Sequence, residues 1–198
     1  MKTRMGGNTA RLKAQAGFTL IEVMIIVAII SVLLMVAVPN YLDWSRKYKL
    51  KDAVATLHGN IGLARMNAIN QSTTVTVTVT QTSAAAPVTV TFQNSASAAV
   101  LPMMTMDLEV DLTNAAGATV GAGVSSPQSV QFSPMGLRRD TGSANNLCIT
   151  ATGAYTGAAC TGNGTQAFNF KNTRGLNYRI VVTSTGKASW CYTSSCAP

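Results

Sequence analysis

From Phe18 to Val38 the chain runs through 21 residues in which only Thr19, Glu22 and Ser31 carry polar side chains. About 20 such residues cross the hydrocarbon core of a bilayer as a helix. A carboxylate inside a membrane helix is expensive, about 2.5–3.5 kcal/mol at the helix centre on insertion scales. Glu22 is therefore a group that needs a partner. Ahead of the run, Met1–Gly17 carries Lys2, Arg4, Arg11 and Lys13 and no acid. Positive charge on the short side of a membrane helix marks the cytoplasmic side. An ordinary secretory signal places its small-residue cleavage site after the apolar region. In this chain that pattern is missing, and the small residue Gly17 lies before the run. Cleavage at Gly17 would leave the whole apolar segment on the mature protein.

Phe18 and Glu22 are four residues apart, so they share one helix face about 6 Å apart along the axis. Two staggered copies of such a helix can bring the carboxylate of one to the amine of the other. An unpaired charge in a low-dielectric core is costly and a paired one much less so, so this pairing acts as a check on register.

The formal charge of +8 divides evenly between the leader and the rest of the chain. The high pI is thus largely a topology signal and no evidence of a nucleic-acid partner. Only 11% of residues are charged, and Thr, Ser, Ala and Gly are abundant, which suits an exported β domain better than a cytosolic enzyme. The chain has no H-E-x-x-H, no nucleophile elbow and no phosphate loop. With a single histidine it has little acid–base equipment, so neither enzyme activity nor a cofactor is expected.

Cys148, Cys160, Cys191 and Cys196 all lie in the last third. An even number in an exported chain favours disulfides. Of three connectivities, Cys148–Cys160 with Cys191–Cys196 closes two short local loops and is favoured, while a strand-to-strand Cys148–Cys191 bond is also feasible. The spacings and the lone His58 do not suit zinc, and no metal site is expected.

Pro39 has a fixed φ and no N–H, which kinks an interior helix without necessarily ending it. Beyond it Leu50, Val54, Leu57, Ile61, Ala64 and Ala68 recur at helical spacing as one apolar stripe. One helix is expected from about Phe18 to about Asn70, roughly 80 Å if continuous. Gly59 and Gly62 within it point to close packing of sheet on helix, and His58 to a packed or half-exposed side chain. After Gln71 the period becomes two. Val75, Val77 and Val79 alternate with threonines, as do Val88, Val90 and Phe92, which predicts a β-hairpin. Leu108, Val110 and Leu112 alternate with Asp107, Glu109 and Asp111, a strand whose carboxylates line a solvated edge or else meet calcium or a neighbour's basic patch. Residues 115–127 read as a Gly/Ala/Ser-rich loop. Further strands are expected near 129–133, 147–152, 166–170, 178–183 and 187–192, with a turn at Ser184-Thr185-Gly186. There is no sign of a second globular domain or of an internal repeat.

Gly17-Phe18-Thr19-Leu20-Ile21-Glu22-Val23, followed by an apolar helix and a proline, resembles the class III signal of type IV pilins and pseudopilins. The resemblance implies cutting between Gly17 and Phe18 by a prepilin peptidase, methylation of the Phe18 amine, and pairing of Glu22 with a neighbouring subunit's Phe18 amine. Leu63-Ala64-Arg65-Met66-Asn67-Ala68-Ile69 resembles the LARxxAI segment of the GspH/FimT family of minor pilins and pseudopilins. Phe132-Ser133-Pro134-Met135-Gly136 resembles its FxxxG turn, and Tyr178–Val182 leading to Gly186-Lys187 its final hairpin. These imply an α+β, pilin-like fold in which a long N-terminal helix packs on a C-terminal antiparallel β-sheet domain. The expected organisation is a removed leader over 1–17, an apolar helix half over 18–38, an amphipathic half over 39–70 and an extracellular β domain over 71–198. The implied partners are other pilin subunits, the peptidase and, before assembly, the inner membrane. The implied role is a minor subunit of a pilus, for its assembly, priming or tip, with a DNA-binding minor pilin for DNA uptake and a type II secretion pseudopilin as the two alternatives. Some FimT-like pilins bind DNA through a GRxR-type motif. The matching Gly186-Lys187-Ala188-Ser189 keeps the first cation and has serine at the second. Arg174, Arg179 and Lys187, with Trp190 for base stacking, are the candidate DNA contacts.

Overall fold

The structure, a computed structural model, describes residues 17–113, 127–141, 146–149, 155–156 and 164–192. Two compact units make it up, Met1–Leu42 and Asp43–Pro198. Helix α1 (Leu20–Asn70) begins in the first and ends in the second, with Pro39 inside it. Thr19 caps its start: Thr19 Oγ1 accepts from the Glu22 N–H at 3.3 Å, the geometry of an N-cap residue bonding to the third helical amide. In the first unit every described side chain from Phe18 to Leu42 is exposed. The helix is long and apolar enough there to cross a membrane. Ser31 satisfies its hydroxyl on the Val27 carbonyl at 2.8 Å, so it needs no water.

In the second unit the expected stripe of α1 is buried: Leu50, Val54, Leu57, Ile61, Ala64 and Ala68 are all fully covered. The helix ends at Asn70. Its last carbonyls are closed by Ser72 N–H to Ile69 and Thr73 N–H to Ala68, a Schellman arrangement with Ser72 at φ 51° where glycine is usual.

Eleven strands follow among the described residues: β1 (Val75–Thr80), β2 (Thr89–Asn94), β3 (Ala99–Thr105), β4 (Val110–Thr113), β5 (Gln128–Phe132), β6 (Arg138–Arg139), β7 (Leu147–Ile149), β8 (Tyr155–Thr156), β9 (Thr165–Asn172), β10 (Asn177–Val182) and β11 (Ala188–Tyr192). They form two antiparallel sheets. The five-stranded sheet has order β3-β2-β1-β5-β6. The six-stranded sheet has order β11-β10-β9-β7-β8, with β4 beside β7 on the same edge of β9. The predicted hairpin is present, with Val77 opposite Phe92 on one side and Val130 on the other. The valines of β1 point inward and the threonines outward. The helix stripe, β1, β2 and β5 of the first sheet, and Leu112, Phe168, Phe170, Ile180 and Val182 of the second share one core. Leu147, Ile149, Ala167 and Val181 form a smaller apolar cluster on the other face of the second sheet.

Three expectations change. Strand β3 escapes sequence reading because it does not alternate: it is an edge strand, mostly exposed, holding Pro102, and its register to β2 shifts. An edge tolerates a proline that an inner strand would not. The glycines do not serve close packing. A Cβ built on Gly59 or Gly62 would meet nothing within 4 Å, because both fall on the side of α1 away from the buried stripe. The acidic segment enters the sheet only at Val110, and its carboxylates, though partly exposed, each have a partner within this chain. Glu109 Oε1 pairs with Arg46 at 3.1 Å and Asp107 Oδ2 with Lys49 at 3.0 Å, while Asp111 accepts from Gln81 Nε2 at 3.0 Å. Arg174 pairs with Asp43 at 2.8 Å. The two turns of helix before Leu50 thus meet the β domain through charges.

Asp107 is held below its ordinary range, first by the Lys49 hydrogen bond and then by the Glu109 N–H. Lys49 is raised, chiefly by the same bond. A lowered acid contributes stability that is present above its unfolded value, about 3.9, and lost as pH falls through its folded value. The raised lysine contributes below its unfolded value of about 10.4 and is lost as pH rises through its folded value. Asp107→Asn should therefore flatten the loss of thermal stability below roughly pH 4; an unchanged melting-versus-pH profile would show that the pair contributes nothing. Gly59→Ala and Gly62→Ala should each raise stability by about 0.5–1 kcal/mol, since alanine favours the helix and has room. Denaturant unfolding of each variant checks this.

Candidate functional site

The first site is the start of α1. Phe18 is 78% exposed and precedes the helix, and Glu22 lies in its first turn. A carboxylate there is favoured by the helix dipole, and the Thr19 cap holds that turn in shape. All the apolar residues around it are exposed, from Leu20 and Ile21 through Val38. What this segment offers is one acid on an otherwise apolar, exposed helix surface.

The second site lies at the end of the same helix, in the second unit. Arg65 Nε donates to the Gly136 carbonyl at 2.8 Å, and Arg65 Nη2 to the Thr185 carbonyl at 3.0 Å. One guanidinium thus clasps two turns that are 71 and 120 residues away in sequence. Each turn is closed by a left-handed glycine, Gly136 at φ +73° and Gly186 at φ +76°. The turns touch: a Cβ on Gly186 would stand 2.1 Å from the Gly136 carbonyl oxygen, and one on Gly136 would stand 2.7 Å from Ile69 Cδ1. The Arg138 N–H donates to the Ser184 carbonyl at 3.1 Å beside them. Leu63–Ile69, Phe132–Gly136 and Gly186, three separate stretches of the sequence, therefore meet around Arg65. The sequence singled out each stretch and gave no sign that one side chain joins them.

His58 donates through Nε2 to the Ala188 carbonyl at 3.2 Å, a packed side chain as expected. With Gly59, Gly62, Met66, Gly186 and Lys187 it lines an open groove of about 340 Å³. Among the described residues no group of His, Cys, Asp or Glu could hold a metal ion.

The four candidate DNA contacts do not converge. Arg179 is buried; its Nε donates to Asn169 Oδ1 at 2.9 Å, and burial lowers its pKa. Trp190 stands opposite Ile180 on the other face of the sheet from Arg179. There it packs on the core and on Tyr178, ring centroids 5.7 Å apart. Arg174 is committed to Asp43. Only Lys187 is exposed and uncommitted. Strand pairing rather than composition decides this, because residues adjacent in sequence alternate between faces.

Cys148 lies on β7 and Cys191 on β11, three strand spacings apart in one sheet. That is about 14 Å, twice the reach of a disulfide, so the strand-to-strand bond is ruled out. Neither cysteine is free. Cys160 and Cys196 lie outside the described residues.

The clasp carries a graded expectation. Gly186→Ala meets a backbone oxygen and should cost on the order of 3 kcal/mol or more. Gly136→Ala meets the movable end of a side chain and should cost less. Arg65→Ala should cost about 1–3 kcal/mol for its two charge-assisted bonds. Thermal unfolding of the three variants checks the order, and an equal cost for both glycines would contradict the contact between the turns.

Residues 12–38 match the family model described as the prokaryotic N-terminal methylation motif. Two fimbrial proteins of Pseudomonas aeruginosa are each 50% identical to the chain over 44 residues, 22% of this chain and 29% of theirs. The chain thus spans under a third of the length of these curated relatives. No solved structure matches it. With the methylation motif over residues 12–38, the fimbrial likeness over 44 residues and a long apolar helix leading into antiparallel sheets, the chain is type IV pilin-like in its N-terminal segment and in its fold.

Proposed function

We propose that the chain is a minor pilin of the GspH/FimT type, a structural subunit without catalytic activity that takes part in pilus assembly. The observation that carries this reading is the methylation motif over residues 12–38, set directly on an exposed apolar helix with one carboxylate. The leader, residues 1–17, is removed by a prepilin peptidase and the Phe18 amine is methylated. Residues 18–38 hold the chain in the inner membrane, and later in the filament core. Residues 39–70 carry the β domain, residues 71–198, outside. Glu22 accepts the Phe18 amine of a neighbouring subunit and so sets the stagger of the two helices. The GspH/FimT assignment is supported by the meeting of Leu63–Ile69, Phe132–Gly136 and Gly186 around Arg65: residues that resemble that family in three separate places make one structural unit. In an exported domain we pair Cys148 with Cys160 and Cys191 with Cys196, which ties down the two stretches of chain that follow β7 and β11.

Glu22→Ala removes the only carboxylate of the apolar segment. It should leave the protein in the inner-membrane fraction at normal abundance and remove it from sheared filaments, as read by immunoblot of the two fractions. Incorporation at the wild-type level would refute the role given to Glu22.

A further inference from the structure

Between Asp43 and Lys51 the helix carries two chemically distinct sides. Asp43, Arg46 and Lys49 are ion-paired with Arg174, Glu109 and Asp107 of the β domain. Trp44 and Tyr48 lie on the side away from the buried stripe, 61% and 59% exposed, with rings stacked at 5.7 Å and 28°. Lys47 and Lys51 flank them, both exposed, and neither has a carboxylate within ion-pair distance among the described residues. The charges that face the domain are therefore compensated and those beside the aromatic pair are not.

An exposed, stacked Trp–Tyr pair between two uncompensated lysines has a matching environment. Tryptophan and tyrosine collect where a membrane helix leaves the hydrocarbon, because each has an apolar body and a polar tip. Trp44 comes six residues after Val38, about 9 Å of helix rise, and helical side chains lean back toward the N-terminus. That places its ring at the level of the headgroup zone if Phe18–Val38 fills the bilayer. Lysines at that level are attracted to anionic headgroups, by up to about five-fold in local preference for each one.

We propose that Trp44 and Lys47 seat at the headgroup zone of an anionic phospholipid bilayer before the subunit is assembled, with Tyr48 and Lys51 about one turn farther out on the same face. The proposal rests on the membrane-anchored reading given above. It adds that the helix is held at a defined depth, with Trp44 at the lipid and the ion-paired side turned to the β domain.

The test uses the full chain reconstituted in phosphatidylcholine vesicles with a minority of phosphatidylglycerol. Tryptophan quenching is compared between wild type and Trp44→Phe, so that the difference is the signal of Trp44 and the core residue Trp190 cancels. Brominated phosphatidylglycerol should quench Trp44 several-fold more than brominated phosphatidylcholine at equal mole fraction, and Lys47→Gln with Lys51→Gln should make the two lipids equal. If the chain is in the vesicles but Trp44 is quenched by aqueous iodide and by neither lipid, the face is not a lipid face and the proposal fails. Such a result would point instead to a protein partner for the same side. Equal quenching by both lipids in the wild type would overturn the anionic preference. A chain that does not sediment with the vesicles at all would remove the anchoring reading, and this face with it.

Discussion

Burial of one helical stripe against two sheets is the interaction on which the second unit depends. Leu50, Val54, Leu57, Ile61, Ala64 and Ala68 are fully covered and sit in one cluster with residues of both sheets. Fully burying a valine, leucine or isoleucine side chain contributes about 1.5–3 kcal/mol, so four of the six positions outweigh the three ion pairs that join the helix to the β domain among the described residues. Neither sheet could hide its inner valines and phenylalanines without this stripe. The helix in turn is set in register by it, because a rotation of one residue would turn the stripe to solvent. The Arg65 clasp then completes what burial begins. The stripe decides which side of α1 faces the domain, and the two bonds from Arg65 decide which turns close over its end.

The same helix serves two environments, and its side chains change character accordingly. Up to Leu42 it is exposed throughout and apolar apart from Glu22, Ser31 and Asn40, which suits lipid or other helices. From Asp43 to Lys49 it meets the domain through Arg174, Glu109 and Asp107. Exposed ion pairs of this kind contribute little each and weaken in salt. Three of them in two turns define an orientation more than a stability. From Leu50 onward apolar burial takes over.

Much of this was readable in the residues. Strong periodicity survives the loss of context: the 4-3-4 spacing from Leu50 to Ala68 and the strict Val/Thr alternation from Thr74 to Thr80 each specify one face of one element. Strand β3 was not readable because an edge strand with one half-buried face needs no alternation, and Pro102 argues against a strand to any local reading. Strands β6 and β8, two residues each, carry no pattern. The pairing of Asp107 and Glu109 is not legible locally, because their partners, Lys49 and Arg46, lie some 60 residues earlier. Gly59 and Gly62 fall on the side of α1 away from the stripe, where a Cβ would meet nothing, so the spacing of the stripe itself argues against a packing role for them.

At the N-terminus the sequence by itself determined the essentials. A basic stretch over residues 1–17, a small residue before the apolar run and a carboxylate four residues after Phe18 are local facts of the sequence, legible with no need of a fold. The tertiary structure decided everything that depends on distant segments meeting. It set Arg65 against Gly136 and Thr185, put Arg179 and Trp190 on opposite faces of one sheet, and parted Cys148 from Cys191 by two intervening strands. The reason is geometric. Hydrophobic periodicity encodes which face a residue occupies within its own element, while the order of strands in a sheet and the approach of turns are set by how those faces pack together.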